Sequence, residues 1–189
     1  MSRATQILAG AGLLALALLA RGWFEATPAR HMLLQYPLLI AAGALIVGAL
    51  AHFYAGAWNR GGVASLLTAM FAMAFWMLPR MVDASVAALP VDIAKAASLA
   101  VLVGGGLRLG WPHAHPLLQA VLKAKAVSML GILAFLYTHA PERLCNAYLL
   151  DDQQRLGEMF LLAALVLAAL WIVPLFGLSP HASRTRTET

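Results

Sequence analysis

An all-α bundle of about six membrane-spanning helices is the fold that this sequence predicts, and three observations predict it. Of the 189 residues, 62% are hydrophobic and only 11% are charged, which is too little polar surface to clothe a water-soluble globule. The mean hydropathy is +0.80. The apolar residues also fall into stretches of about 17 to 25, each long enough to cross roughly 30 Å of hydrocarbon as a helix. Helices are the form such stretches take, because a backbone in lipid must satisfy its own N–H and C=O groups.

The first stretch, at about residues 4 to 21, combines Arg3 with a run through Leu13, Leu14, Leu16, Leu18 and Leu19. That pattern also describes a secretory signal, with Ala17 and Ala20 as small residues for a peptidase. Gly22, Trp23 and Phe24 follow it as an interfacial anchor, which favours a retained helix; cleavage would leave five spans. The second stretch, about 31 to 54, opens with His31 and Met32. The third, about 61 to 82, carries Met70, Met73, Met77 and Met81. In the fourth, about 91 to 109, Asp92 and Lys95 lie near enough to an end to snorkel, and Gly104, Gly105 and Gly106 suit close helix packing. The fifth, about 116 to 138, follows the rigid turn Trp111-Pro112-His113-Ala114-His115-Pro116. The sixth, about 156 to 177, follows the longest loop, which holds Cys145, Asp151, Asp152 and Gln153. Residues 1–178 thus read as one membrane domain and 179–189, with His181, as a disordered polar tail.

Several function classes fall away. The net charge of +5 comes from basic residues scattered singly through loops, so lipid headgroups rather than nucleic acid are the expected partner. A lone cysteine excludes an internal disulfide framework and paired-thiol redox motifs. No Gly-rich phosphate loop and no Ser/His/Asp arrangement stands out, and no residue set requires an enzyme. Lys and Arg are nearly balanced between the two sides, but with both termini in the cytoplasm Glu25, Asp83, Asp92, Glu142, Asp151, Asp152 and Glu158 all fall outside. That topology gathers His31, Met32, Arg80, Met81, Asp83, His139, Cys145, Asp152 and Gln153 on the outer face.

Met70, Met73, Met77 and Met81 fall within roughly an 80° arc of one helix. Thioether sulfur is a soft ligand suited to Cu(I), although the first reading of such a stripe is that methionine fills irregular helix contacts. A histidine at a span end is ordinarily interfacial, but His31 has Met32 beside it and soft ligands on the same face, a combination that favours copper over calcium or magnesium. The candidate ligands are His31, Met32, Met77, Met81 and Cys145, exchanging Cu(I) with a partner protein. Asp152 and Gln153 would orient ligands or bind that partner. Two other classes stay open: a haem-binding electron carrier pairing His31 with His139, and His52 with His113 or His115; and a cofactor-free structural subunit of a larger complex or homo-oligomer, with the glycines and methionines as packing surfaces. A transporter ranks last, since the intramembrane charges sit near span ends.

The stretch His31-Met32-Leu33-Leu34-Gln35-Tyr36-Pro37-Leu38-Leu39 resembles a segment of the CtaG-like integral membrane family of cytochrome c oxidase assembly factors. Trp76-Met77-Leu78-Pro79-Arg80-Met81-Val82-Asp83 is similar to that family's Trp-x-x-Pro segment with its following acid, Gly106 through Trp111-Pro112 to its Gly-rich helix ending in Trp-Pro, and Asp152-Gln153 with Gly157 to its Asp-Gln motif opening the last helix. The similarities run in the family's order over residues 31–157. The resemblance implies supply of copper to the binuclear centre of a haem-copper oxidase in the bacterial cytoplasmic membrane, with Pro79, Asp83, Asp152 and Gln153 as supporting motif residues. It also marks differences: where the family tends to carry further histidines, this chain has Thr27 and, in the helix from Val91, Asp92 and Lys95.

Overall fold

The computed structural model describes residues 2–50 and 57–173. The polar tail at 179–189, His52, His181 and the last residues of the second and sixth expected spans lie outside them. Among the described residues the protein is all-helical in class, with no strand. Its helices are α1 (Arg3–Leu19), α2 (Arg21–Phe24), α3 (Arg30–Leu50), α4 (Val63–Trp76), α5 (Pro79–Ala87), α6 (Leu89–His113), α7 (Pro116–His139) and α8 (Leu150–Ile172). Four of them, α3, α6, α7 and α8, are long and apolar enough to cross a membrane, and a fifth crossing exists if α4 and α5 count as one broken span. Among the described residues there are thus four to five candidate spans by length and composition, consistent with a multi-pass membrane protein, and the expectation of about six is not confirmed. Helix α1, capped by the Ser2 hydroxyl on the Thr5 amide, is a shorter apolar helix of 17 residues, about 25 Å at 1.5 Å per residue, at the lower limit for a span.

The third expected stretch breaks for a local reason. Pro79 has no N–H to give to a continuing helix and forces its predecessor out of the helical region; Leu78 accordingly has ψ 130°. Helix α4 ends at Trp76 and α5 restarts at Pro79, bent by 73°. The four methionines consequently do not form one stripe. Met70 and Met73 line a crevice beside α6 and α7, while Met77 lies in the core cluster with Met73 and Met81 packed against it.

Helix α6 is the most enclosed span, half of its apolar window being buried. It packs on α3 at backbone distance. A Cβ on Gly43 would run into the Ala100 carbonyl, and one on Gly104 into the Ile40 carbonyl, so both positions require glycine for the approach. Each of these two helices also contains a π-helical segment, Arg30–Gln35 in α3 and Leu99–Gly105 in α6, a distortion that often accompanies functional sites. Helix α1 lies antiparallel to α3, with Gly10 against Ala42 and Ile46 and the Ala17 carbonyl accepting from the Gln35 amide at 3.2 Å. Helices α7 and α8 form a hairpin whose connecting loop, residues 140–149, folds over the end of the bundle. Helix α8 starts at Leu150, earlier than the hydropathy predicts, because Asp151 and Asp152 occupy its first turn, where the helix dipole favours acids.

Candidate functional site

Beneath that loop lies a buried polar hub assembled from five elements. Lys95 on α6 has no exposed surface, and Asp92, one turn earlier, is 1% exposed. The Lys95 ammonium stands 2.7 Å from Asp92 Oδ1 and 3.4 Å from Glu25 Oε1, and Arg21 Nε lies 2.8 Å from Glu25 Oε2 and 3.2 Å from Asp92 Oδ2. Two cations face two anions, so the cluster is neutral as a whole. The i,i+3 and i,i+4 spacings bring each helix's own pair together, and the turn at α2 delivers one pair to the other. Burial pushes the Glu25 carboxyl up, against the opposing pull of Arg21 and Lys95, and the hydrogen bond to Glu25 holds Arg21 above its ordinary value. Neither Asp92 oxygen receives a well-aligned hydrogen bond, although both cations are close.

The snorkelling expected of Asp92 and Lys95 is thus overturned. The ammonium turns inward because partners of opposite charge and good acceptors surround it. It lies 2.8 Å from His31 Nε2, donates to Gln35 Oε1 at 3.2 Å, and stands 5.8 Å from the Tyr36 ring centroid. His31, itself fully buried, uses its other ring nitrogen, Nδ1, on the Tyr148 hydroxyl at 2.8 Å. Its ring sits edge-on to Tyr36 at 5.4 Å between centroids, and the Tyr36 hydroxyl donates to the Trp76 carbonyl at 3.0 Å.

The loop is fastened by the residues that the motifs singled out. Both Asp83 oxygens accept from it, from the Asn146 amide at 2.8 Å and the Ala147 amide at 3.0 Å. Gln153 Oε1 accepts from the Leu144 amide at 2.7 Å, while its buried Nε2 has no partner. Cys145 is 2% exposed; its sulfur lies 3.9 Å from the Pro79 carbonyl and 3.5 Å from the Tyr137 hydroxyl. Burial pushes the Cys145 thiol up, Asp83 adds to that, and the Tyr137 contact opposes it. Met32, Met77 and Cys145 belong to one packed core cluster, with Met81 against its edge. Asp152 stands in the first turn of α8 and takes no part in the hub.

His31, Pro79, Asp83, Cys145 and Gln153 meet around the loop, and Met32 and Met77 lie in the same core cluster as Cys145 with Met81 packed against it, whereas His139 does not join them. It is exposed, stacked on Phe135 at 4.4 Å, with Nδ1 against the Phe135 carbonyl and the Thr138 hydroxyl. His113 and His115 are engaged locally, at the Leu109 carbonyl and as the cap of α7. Of the candidate Cu(I) ligands the imidazole of His31 fits poorly, since both its nitrogens already have partners, and no group of three or more His, Cys, Asp or Glu suited to a metal exists among the described residues. Tyr148 was missed from sequence, and so was the meeting of Arg21 and Glu25 with Asp92 and Lys95. The signal for those four was present as two short-spaced pairs of opposite charge beside or within apolar helices.

A buried, undissociated thiol under a fastened loop reacts slowly. Iodoacetamide at pH 7 is expected to label Cys145 far more slowly in the folded protein than after unfolding. Asp83→Ala, which leaves two loop amides without their carboxylate acceptor, is expected to raise the folded-state rate by about tenfold, since hydrogen bonds to a charged group contribute about 1.5–3 kcal/mol. Equal rates in both proteins would show that the loop does not shield the thiol.

No protein-family model matches the chain, and neither a curated protein nor a solved structure matches it.

Proposed function

We propose that this multi-pass membrane protein is an assembly factor for a haem-copper oxidase and that the end of the bundle beneath the 140–149 loop is its working site. The observation that carries this reading is the meeting of distant segments. Of the four that resemble the oxidase-assembly family, three close around one buried site: the segment of His31, that of Pro79 and Asp83, and that of Gln153. Copper would be cargo, held as Cu(I) by the sulfurs of Met32, Met77, Met81 and Cys145, ligands of the softness that ion prefers. His31 stands outside that shell and fixes the loop through Tyr148. Delivery would proceed by ligand exchange once the loop opens, with the Cys145 proton released on binding. In this reading the bundle sits in a bacterial cytoplasmic membrane with the loop outside and both termini inside.

A cofactor-free structural subunit is the second reading, favoured by the closed, charge-balanced hub and by the occupied imidazole of His31. Deleting the gene in the source organism and measuring assembled oxidase separates the two. Copper delivery predicts loss of activity that excess copper in the medium restores; a scaffold predicts a loss that copper does not restore; unchanged oxidase overturns both. In purified protein, competition with a Cu(I) chelator under anaerobic conditions is expected to show binding that Cys145→Ser abolishes and His31→Ala leaves in place. The reverse pattern would return His31 to the ligand set.

A further inference from the structure

The opposite end of the bundle has a different character. All described Asp and Glu residues, Glu25, Asp83, Asp92, Glu142, Asp151, Asp152 and Glu158, lie towards the loop end, while the far ends of the helices carry Arg60, Arg108, Lys123 and Lys125 without a described acid among them. There the α7–α8 hairpin, joined to α6 through residues 114–115, leaves a gap beside α4 and α6. The gap is an apolar crevice of about 310 Å³, walled by Met70, Met73, Val103 and Met129 among others. A second apolar groove, of about 660 Å³, runs between α7 and α8 on the neighbouring face. Lys123 and Trp171 border both.

Lys123 stands where the two grooves meet. Its ammonium lies 5.8 Å from the ring centroid of Trp111 and 5.8 Å from that of Trp171, bracketed by two indoles of the kind that settle at headgroup depth. It is the eighth residue of α7, about 10 Å in from the helix start. Side chains on a helix lean towards its N-terminus, so the stem carries the charge back to the membrane surface. Lys125, one groove wall away, is exposed. In lipid the grooves have no water to fill them, and their walls offer almost nothing but hydrocarbon contact.

We infer that this end is a binding site for one anionic phospholipid, its phosphate held by Lys123 and Lys125 between Trp111 and Trp171 and its two acyl chains laid in the two grooves that flank Lys123. Two slots meeting at a cation match a two-chained anion, and the absence of described carboxylates nearby removes any internal competitor for the lysines. The site is independent of the copper reading, being at the other end of the molecule.

Native mass spectrometry of the detergent-extracted full chain tests it, after equilibration with equal mole fractions of phosphatidylglycerol and phosphatidylcholine bearing the same acyl chains. The wild type is expected to keep one phosphatidylglycerol under conditions that strip phosphatidylcholine. Lys123→Gln with Lys125→Gln is expected to reduce that retention about tenfold, two charges near an anionic headgroup each contributing a severalfold effect. Ala126→Trp, which narrows the crevice and keeps both lysines, is expected to reduce it as well, separating a seated lipid from loose attraction to charge. Equal retention of the two lipids, retention unchanged in the double variant, or a second copy of the chain bound in place of lipid would each overturn the inference.

Discussion

Lys95→Met is expected to destabilise the loop end of the bundle by roughly 3–5 kcal/mol, the usual consequence of removing one partner from a buried ion pair. The substitution keeps the stem's length and removes the charge, leaving Glu25 and Asp92 together in the interior with Arg21 alone, whose side chain is one-quarter exposed. His31 and Gln35 lose their shared neighbour in the same step. The double variant Lys95→Met with Asp92→Leu is expected to recover most of the loss, because an apolar pair of similar volume replaces a neutral couple and the Arg21–Glu25 pair remains intact. Thermal unfolding midpoints in one detergent, for wild type, both singles and the double, provide the cycle. Additive losses in the double would show that the hub's stability comes from some other feature than mutual neutralisation.

Gly43→Leu is expected to have a comparable effect through geometry alone. A Cβ there has no room, since the Ala100 backbone already fills the space, and overpacking of this kind costs about 1–3 kcal/mol or more when only backbone can yield. The consequence reaches the hub, because α3 and α6 supply His31 and Lys95 from either side of that contact. Loss of folded, monodisperse protein after extraction is the expected readout. Gly12→Ala and Gly131→Ala are the contrast: nothing lies within 4 Å of either added carbon, and alanine in a helix interior is favoured over glycine by about 1 kcal/mol, so these two are expected to hold or slightly raise the unfolding midpoint.

The helical, membrane-embedded character was legible in hydropathy because it depends on sums over whole stretches. What was not legible depends on single residues acting against their surroundings. Pro79 interrupts an apolar run that hydropathy reads as continuous, since a missing N–H leaves no mark on a window average. Lys95 near a span end reads as a snorkelling side chain unless Glu25, 70 residues earlier, is known to turn back over it. The convergence of His31, Asp83, Cys145 and Gln153 was foreseeable from topology, but the partner of His31 was not: Tyr148 lies 117 residues away in a loop with no periodicity to place it. The methionines show the limit of regular spacing: the break at Pro79 divides their stripe, and what Met73, Met77 and Met81 visibly do is pack at the core.

That same separation along the chain sets an order of events during synthesis. Arg21 and Glu25 emerge first and can neutralise only each other; the second pair arrives with α6, and from then on four charges can enter the bilayer's edge as one uncharged unit. Tyr148 comes last, after α7 is complete. Lys95 can therefore meet one nitrogen of the His31 ring once α6 is made, whereas the other waits for the final hairpin, so a nascent protein halted before residue 148 lacks the partner of Nδ1 that the finished one has.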